Sequence, residues 1–111
     1  MRKVSTMSAA RLVSADVLAT PLEPDGVSEP LATASTALVT TEVEIGLWEA
    51  GPGSDVDVEA DEVFLVLGGA GTVTFADASA IDLRPGVLVR LHAGDRTTWT
   101  VTERLRKLYL A

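Results

Sequence analysis

From Ala37 to the C-terminus, apolar residues recur at every second position in short runs. Val43, Ile45 and Leu47 alternate with Glu42, Glu44 and Gly46, and Val73 and Phe75 alternate with Thr72 and Thr74. Side chains two apart share one face of a strand, so the pattern predicts half-buried strands. Eight segments follow this reading: ALVTT, VEIGLWEA, EVFLVLGG, GTVTFAD, AIDL, GVLVRLH, TTWTVTE and LRKLYLA. GPGSD, GGAG, ADAS, RPG and AGDR supply turn residues between them. No segment carries a helical period, and the spacing predicts an all-β sandwich or barrel. EVFLVLGG is apolar on both faces, with Phe64 and Val66 on one and Val63, Leu65 and Leu67 on the other. Its second face therefore needs cover from another sheet or from a second copy of the chain, which makes a homodimer the expected assembly.

The N-terminal third differs. TPLEPDGVSEPL, residues 20–31, holds three of the five prolines and predicts an extended or turn-rich arm. SADVLA before it suits a short helical turn capped by Ser14. MRKVST offers nothing to bury and is expected to be disordered. The boundaries expected are an arm over 1–36 and a folded domain over 37–111.

A chain of 111 residues is the size of one domain. Nine basic against sixteen acidic residues leave a formal charge of −7. That sign repels phosphate backbones and anionic lipid, so neither nucleic acid nor membrane is an expected partner. The absence of cysteine removes disulfides, thiolate nucleophiles and cysteine-ligated zinc. Serines and charges interrupt VSTMSAARLVSADVLA, leaving no apolar stretch for a signal peptide, and a cytoplasmic location is expected.

The strand order invites comparison with a known pattern. Glu62, six residues and Gly69 resemble the end of the first cupin motif, in which a glycine and two histidines precede E-x6-G. GVLVRLHAG, residues 86–94, resembles the second motif, G-x5-P-x-G followed by a histidine; Gly86 and Gly94 hold the glycine positions and His92 stands in place of the proline. With IGLWEAGPG upstream and TWTVTERLRKLYLA downstream, the chain is similar to small single-domain cupins of the ureidoglycine aminohydrolase and ethanolamine-utilisation type. The resemblance implies a jelly-roll barrel, or double-stranded β-helix, with a pocket between its two sheets. It also implies, for many members, a divalent metal held by three histidines and a glutamate. This chain keeps only Glu62 of that set. The first two histidine positions fall at Asp55 and Asp57 or at Val56 and Val58, and the third at Thr97. Borderline metals favour imidazole, and the chain has one histidine, so no metal or other cofactor is expected.

Five acidic residues, Asp55, Asp57, Glu59, Asp61 and Glu62, crowd into eight positions. They could form an oxygen-only site for a hard cation, but the reading preferred on sequence is a solvated acidic loop. Glu62 is the candidate acid–base residue. Facing the barrel beside Phe64 and Val66 it needs a partner or a proton; facing outward it is an ordinary surface glutamate. Phe64, Thr97 and Trp99 are candidate ligand contacts. Arg90 joins them if it shares an inward face with Leu88, and lies outside if Val87, Val89 and Leu91 point inward. Trp48 and Tyr109 fit the core, His92 fits a structural role, and the basic run RLRK fits a surface that balances the acidic charge. GGAG joins two strands and makes no phosphate cradle. The function expected is a degenerate, metal-free cupin that binds a small metabolite. The alternatives are a metal-dependent enzyme similar to ureidoglycine aminohydrolase, which releases ammonia from a small nitrogenous acid, and a non-catalytic dimerisation or regulatory domain.

Overall fold

The computed structural model of the chain describes residues 11–25 and 31–111. All its regular elements are strands: β1 (Glu23–Pro24), β2 (Ala34–Thr40), β3 (Glu44–Ala50), β4 (Gly53–Val58), β5 (Glu62–Phe75), β6 (Ala80–Leu83), β7 (Leu88–Leu91) and β8 (Arg96–Leu110). Every pairing is antiparallel, and the sheet path is β1-β2-β3-β8-β5-β6. β4 pairs with the first half of β8 and β7 with the first half of β5. The two long strands thus pass from one sheet into the other, giving a jelly-roll barrel.

The bend falls where β5 and β8 slip register, between Val66 and Gly71. Gly69 has φ +89°, and a Cβ there would collide with the Arg104 carbonyl. Only glycine allows the backbones so close at this corner. GGAG therefore makes no turn: extended strand runs through it as one 14-residue element. TTWTVTE and LRKLYLA likewise form a single 15-residue strand. Most of GPGSD belongs to β4, and its ladder with β8 explains why the acidic segment is extended rather than looped. SADVLA forms a turn rather than a helix: the Ser14 hydroxyl accepts from the Asp16 N–H, and the Asp16 carboxylate accepts from the Leu18 N–H. The expectation for MRKVST lies outside the described residues.

Phe64, Val66, Val73, Leu83, Leu91 and Leu105 fill the space between the sheets. Each such side chain contributes roughly 1.5–3 kcal/mol on leaving water. On β8 the inward positions are odd-numbered: Thr97, Trp99, Val101, Leu105, Lys107 and, partly, Tyr109, with Glu103 at the bend left exposed. On β7, Val89 and Leu91 point in, whereas Leu88 and Arg90 are exposed. The first part of the arm is anchored by the Arg106 guanidinium, which donates to the carbonyls of Val17 and Thr20 and to Glu49, whereas Leu31 near its end joins the barrel core.

Candidate ligand pocket

A hollow of about 440 Å³ opens between the sheets, walled by β3, β4, β8 and the start of β5. β4 borders it with Asp55, Val56 and Asp57 and leaves Val58 exposed outside. β3 contributes Trp48, and β8 contributes Trp99, Lys107 and Tyr109.

Lys107 occupies the centre of the site. Its side chain is only 7% exposed, and Nζ donates to Glu62 Oε2 at 2.5 Å. The ammonium also lies 4.5 Å from the ring centroid of Phe64, 4.8 Å from Trp48 and 5.0 Å from Trp99. The rings themselves pack at tilted angles, 5.6 Å from Trp48 to Trp99 and 5.5 Å from Phe64 to Trp99. A cation enclosed by aromatic faces and one carboxylate keeps its charge away from bulk water.

Two further carboxylates are fixed around this pair. Glu59 Oε2 accepts from the Thr97 hydroxyl at 2.6 Å and from Trp99 Nε1 at 2.9 Å. It thereby locks the Trp99 indole in place. Farther along β8, Tyr109 donates to Glu44 Oε2 at 2.5 Å. Burial, the hydrogen bond to Glu44, and the charges of Glu44 and Glu62 push the Tyr109 phenol up to about 12, so it stays neutral. Gly46 makes this contact possible: a Cβ there would fall 2.5 Å from the Tyr109 ring.

The acidic cluster thus divides by role. Asp55 and Asp57 face the hollow, Glu59 positions Trp99, Glu62 holds Lys107, and Asp61 accepts from the Ala93 backbone N–H. The solvated-loop expectation is corrected on this point. A ladder to β8 holds β4 straight, and the break after Val58 brings Glu62 back to the hollow despite its opposite parity. Of the candidate contacts, Trp99 lines the site, Thr97 reaches it only through its bond to Glu59, and Phe64 lies under the ammonium. Arg90 does not join them. It points outward on β7 and borders a separate surface hollow with His92 and Asp95. The physical reason is parity, because the apolar Val89 and Leu91 take the inward face.

Lys107 is the residue that sequence reading missed. As part of RLRK it passed for surface charge, yet it shares the inward parity of Trp99, Val101, Leu105 and Tyr109. Continuing that alternation through Glu103 would have revealed it. Glu59 and Glu44 carried no comparable signal, since their partners lie 40 and 65 residues away.

The three-histidine, one-glutamate metal centre of the resemblance does not fit these residues. Glu62 is held by an ammonium, Thr97 donates to Glu59, and His92 is 65% exposed outside the pocket. Among the described residues, no three His, Cys, Asp or Glu side chains group so as to hold an ion.

A bent antiparallel jelly roll with a polar-mouthed hollow between its sheets is the architecture of the cupins. The chain belongs to the EutQ-like cupin domain family, which residues 40–109 match. A putative ethanolamine utilization protein from Salmonella typhimurium superposes with a TM-score of 0.75 at 20% identity, over 86% of this chain and 81% of that one. The EutQ protein of Clostridium difficile gives 0.64 at 19% identity, over 73% and 68%. A cupin superfamily protein from Desulfitobacterium hafniense gives 0.60 at 25% identity, over 71% and 75%. A search of curated proteins found no match. No helix among the described residues is long and apolar enough to cross a membrane.

Proposed function

We propose that this chain is a cupin that binds a small, positively charged metabolite in a metal-free pocket. The observation that carries the reading is the ionisable lining of the hollow, in which Asp55, Asp57, Glu59 and Glu62 face a single ammonium, that of Lys107. Such a lining favours cations and repels carboxylates and phosphates. Trp48 and Trp99 add faces on which an alkylammonium can rest. Within this reading Glu62 is the charge partner of Lys107, and the general acid–base role expected for it falls away. Of the two groups the sequence resembles, the family match supports the ethanolamine-utilisation branch. Ethanolamine, itself a small cationic amine, is therefore a natural first ligand to try.

The test is a thermal-shift and calorimetric screen of small amines, amino alcohols and amino amides against carboxylates of equal size. A ligand present at about a hundred times its Kd stabilises the native state by about 2.7 kcal/mol. Amines should raise the midpoint and carboxylates should leave it unchanged; the reverse ranking would sink the reading. Elemental analysis of untagged protein accompanies the screen. Stoichiometric manganese, zinc or iron would restore the ammonia-releasing enzyme, and a domain that responds to neither ligand nor metal would fit a purely structural role.

We also propose a homodimer formed through the outer face of β7, β5, β8 and β3. Cross-strand rows there align Leu88, Leu65 and Leu108, and beside them Arg90, Val63, Leu110 and Ile45; Leu47, next in the first row, is already buried within the chain. Leu88 is 67% exposed in the single chain. A largely apolar face running across neighbouring strands is the kind of surface a second copy covers.

A further inference from the structure

The misfit between this pocket and a metal centre has a positive counterpart. We propose that the Lys107 ammonium is the pocket's resident cation: it occupies the place of a bound metal ion beside Glu62 and donates a hydrogen bond to an oxygen of the ligand. This rests on the cation-binding reading and narrows the ligand class to small ammonium compounds that also carry an acceptor oxygen, such as an amide carbonyl or a hydroxyl.

An ammonium has three N–H donors. Among the described residues Glu62 is the one hydrogen-bond acceptor that Lys107 meets, and the remaining N–H groups face aromatic rings and the hollow. The nearby polar groups are otherwise engaged: Glu59 accepts from Thr97 and Trp99, and Tyr109 donates to Glu44. A ligand oxygen that reaches Lys107 therefore completes its donor set without displacing a protein bond. Glu62 already neutralises the ammonium, so the acceptor need carry no charge of its own, and the acidic mouth at Asp55 and Asp57 opposes one that does. The ligand's own ammonium is left for that mouth. A divalent ion at Glu62 would meet the fixed positive charge of Lys107 at 2.5 Å from the carboxylate oxygen, which excludes it.

The chain holds only two lysines, Lys3 and Lys107. Selective 13Cε/15Nζ labelling thus yields a two-signal spectrum in which the Lys107 signal is shifted by the rings around it. The probes are glycinamide, a cation with a carbonyl, and isobutylammonium, a cation of equal heavy-atom count with no oxygen. Glycinamide should move the Lys107 signal and bind at least tenfold more tightly than isobutylammonium. Lys107→Met should erase that preference while keeping weak binding of both. Mn²⁺ at equimolar concentration should leave the Lys107 signal sharp. Equal binding of the two probes with the Lys107 signal unmoved overturns the proposal and leaves the cation-binding reading standing. Binding of neither probe removes both, and paramagnetic loss of the Lys107 signal places a metal in the site and overturns the proposal directly. The wild-type spectra decide the question even if Lys107→Met does not fold.

Discussion

Replacing Lys107 by Met removes a charge but keeps an unbranched side chain of similar length in the aromatic box. What it strands is Glu62, whose side chain is 19% exposed. Unit charges 2.5 Å apart attract by roughly 6–7 kcal/mol at an effective dielectric of about 20. Much of that attraction offsets the cost of taking both ions out of water, and removing one partner of a buried pair costs about 3–5 kcal/mol. Partial rehydration of Glu62 puts the expected loss at the lower end, about 3 kcal/mol. A domain of this size has a total stability of roughly 5–15 kcal/mol, so the variant should fold but unfold at clearly lower urea. Glu62→Gln should cost less, about 2 kcal/mol, because the rings still shelter the ammonium. With both changes made, no buried ion is left unpaired, and the double variant should show a coupling energy of about 2 kcal/mol. Urea unfolding followed by fluorescence reports on the site directly, since Trp48 and Trp99, which flank the pair, are the chain's two tryptophans. A Lys107→Met variant within about 0.5 kcal/mol of wild type, with no coupling to Glu62, would match an exposed lysine. That result would refute the buried pair on which the pocket reading stands.

Tyr109 is the only tyrosine, so ultraviolet titration follows it alone. Folded protein should show no tyrosinate until about pH 12, and Glu44→Gln should bring the transition down toward the ordinary value of 10. Tyrosinate appearing near pH 10 in native wild type would contradict the bond to Glu44. Glu49 offers a second pH test. Burial alone would raise its carboxyl, but hydrogen bonds and charge from Arg106 and Arg104 outweigh burial and hold it below the ordinary glutamate value of 4.5. The folded state therefore binds that proton less readily than the unfolded chain does. Its contribution should be complete above pH 4.5 and disappear as pH falls through the lowered folded value. The stability difference between wild type and Glu49→Gln should shrink accordingly, and a difference independent of pH would exclude the linkage. Leu88→Glu, finally, should shift the protein from dimer to monomer in sedimentation equilibrium without lowering the monomer's melting midpoint, whereas an unchanged assembly would move the dimer contact elsewhere.

The alternation of apolar and polar residues was enough, by itself, to specify an all-β domain. It also placed Phe64 and Val66 on one face of β5 and Val89 and Leu91 on one face of β7, because strand periodicity is local and needs no partner to be read. The glycine and Glu62 spacing pointed to the cupin barrel for a related reason: Gly69 marks a corner where no side chain fits. What sequence could not supply was the set of neighbours across the barrel. Lys107 reads as one more charge in RLRK until β8 is known to run unbroken from Arg96 to Leu110, with its odd positions turned inward on both sides of the exposed Glu103. The acidic run reads as one solvated cluster until β4 pairs with β8 and sends its members to different partners. Arg90 stayed ambiguous because LVRL fits either orientation when only its own strand is considered, and the packing of Val89 and Leu91 into the core decided it. Whether a charge is buried or solvated depends on residues brought together from 40 or more positions away, and only the tertiary structure fixes which ones those are.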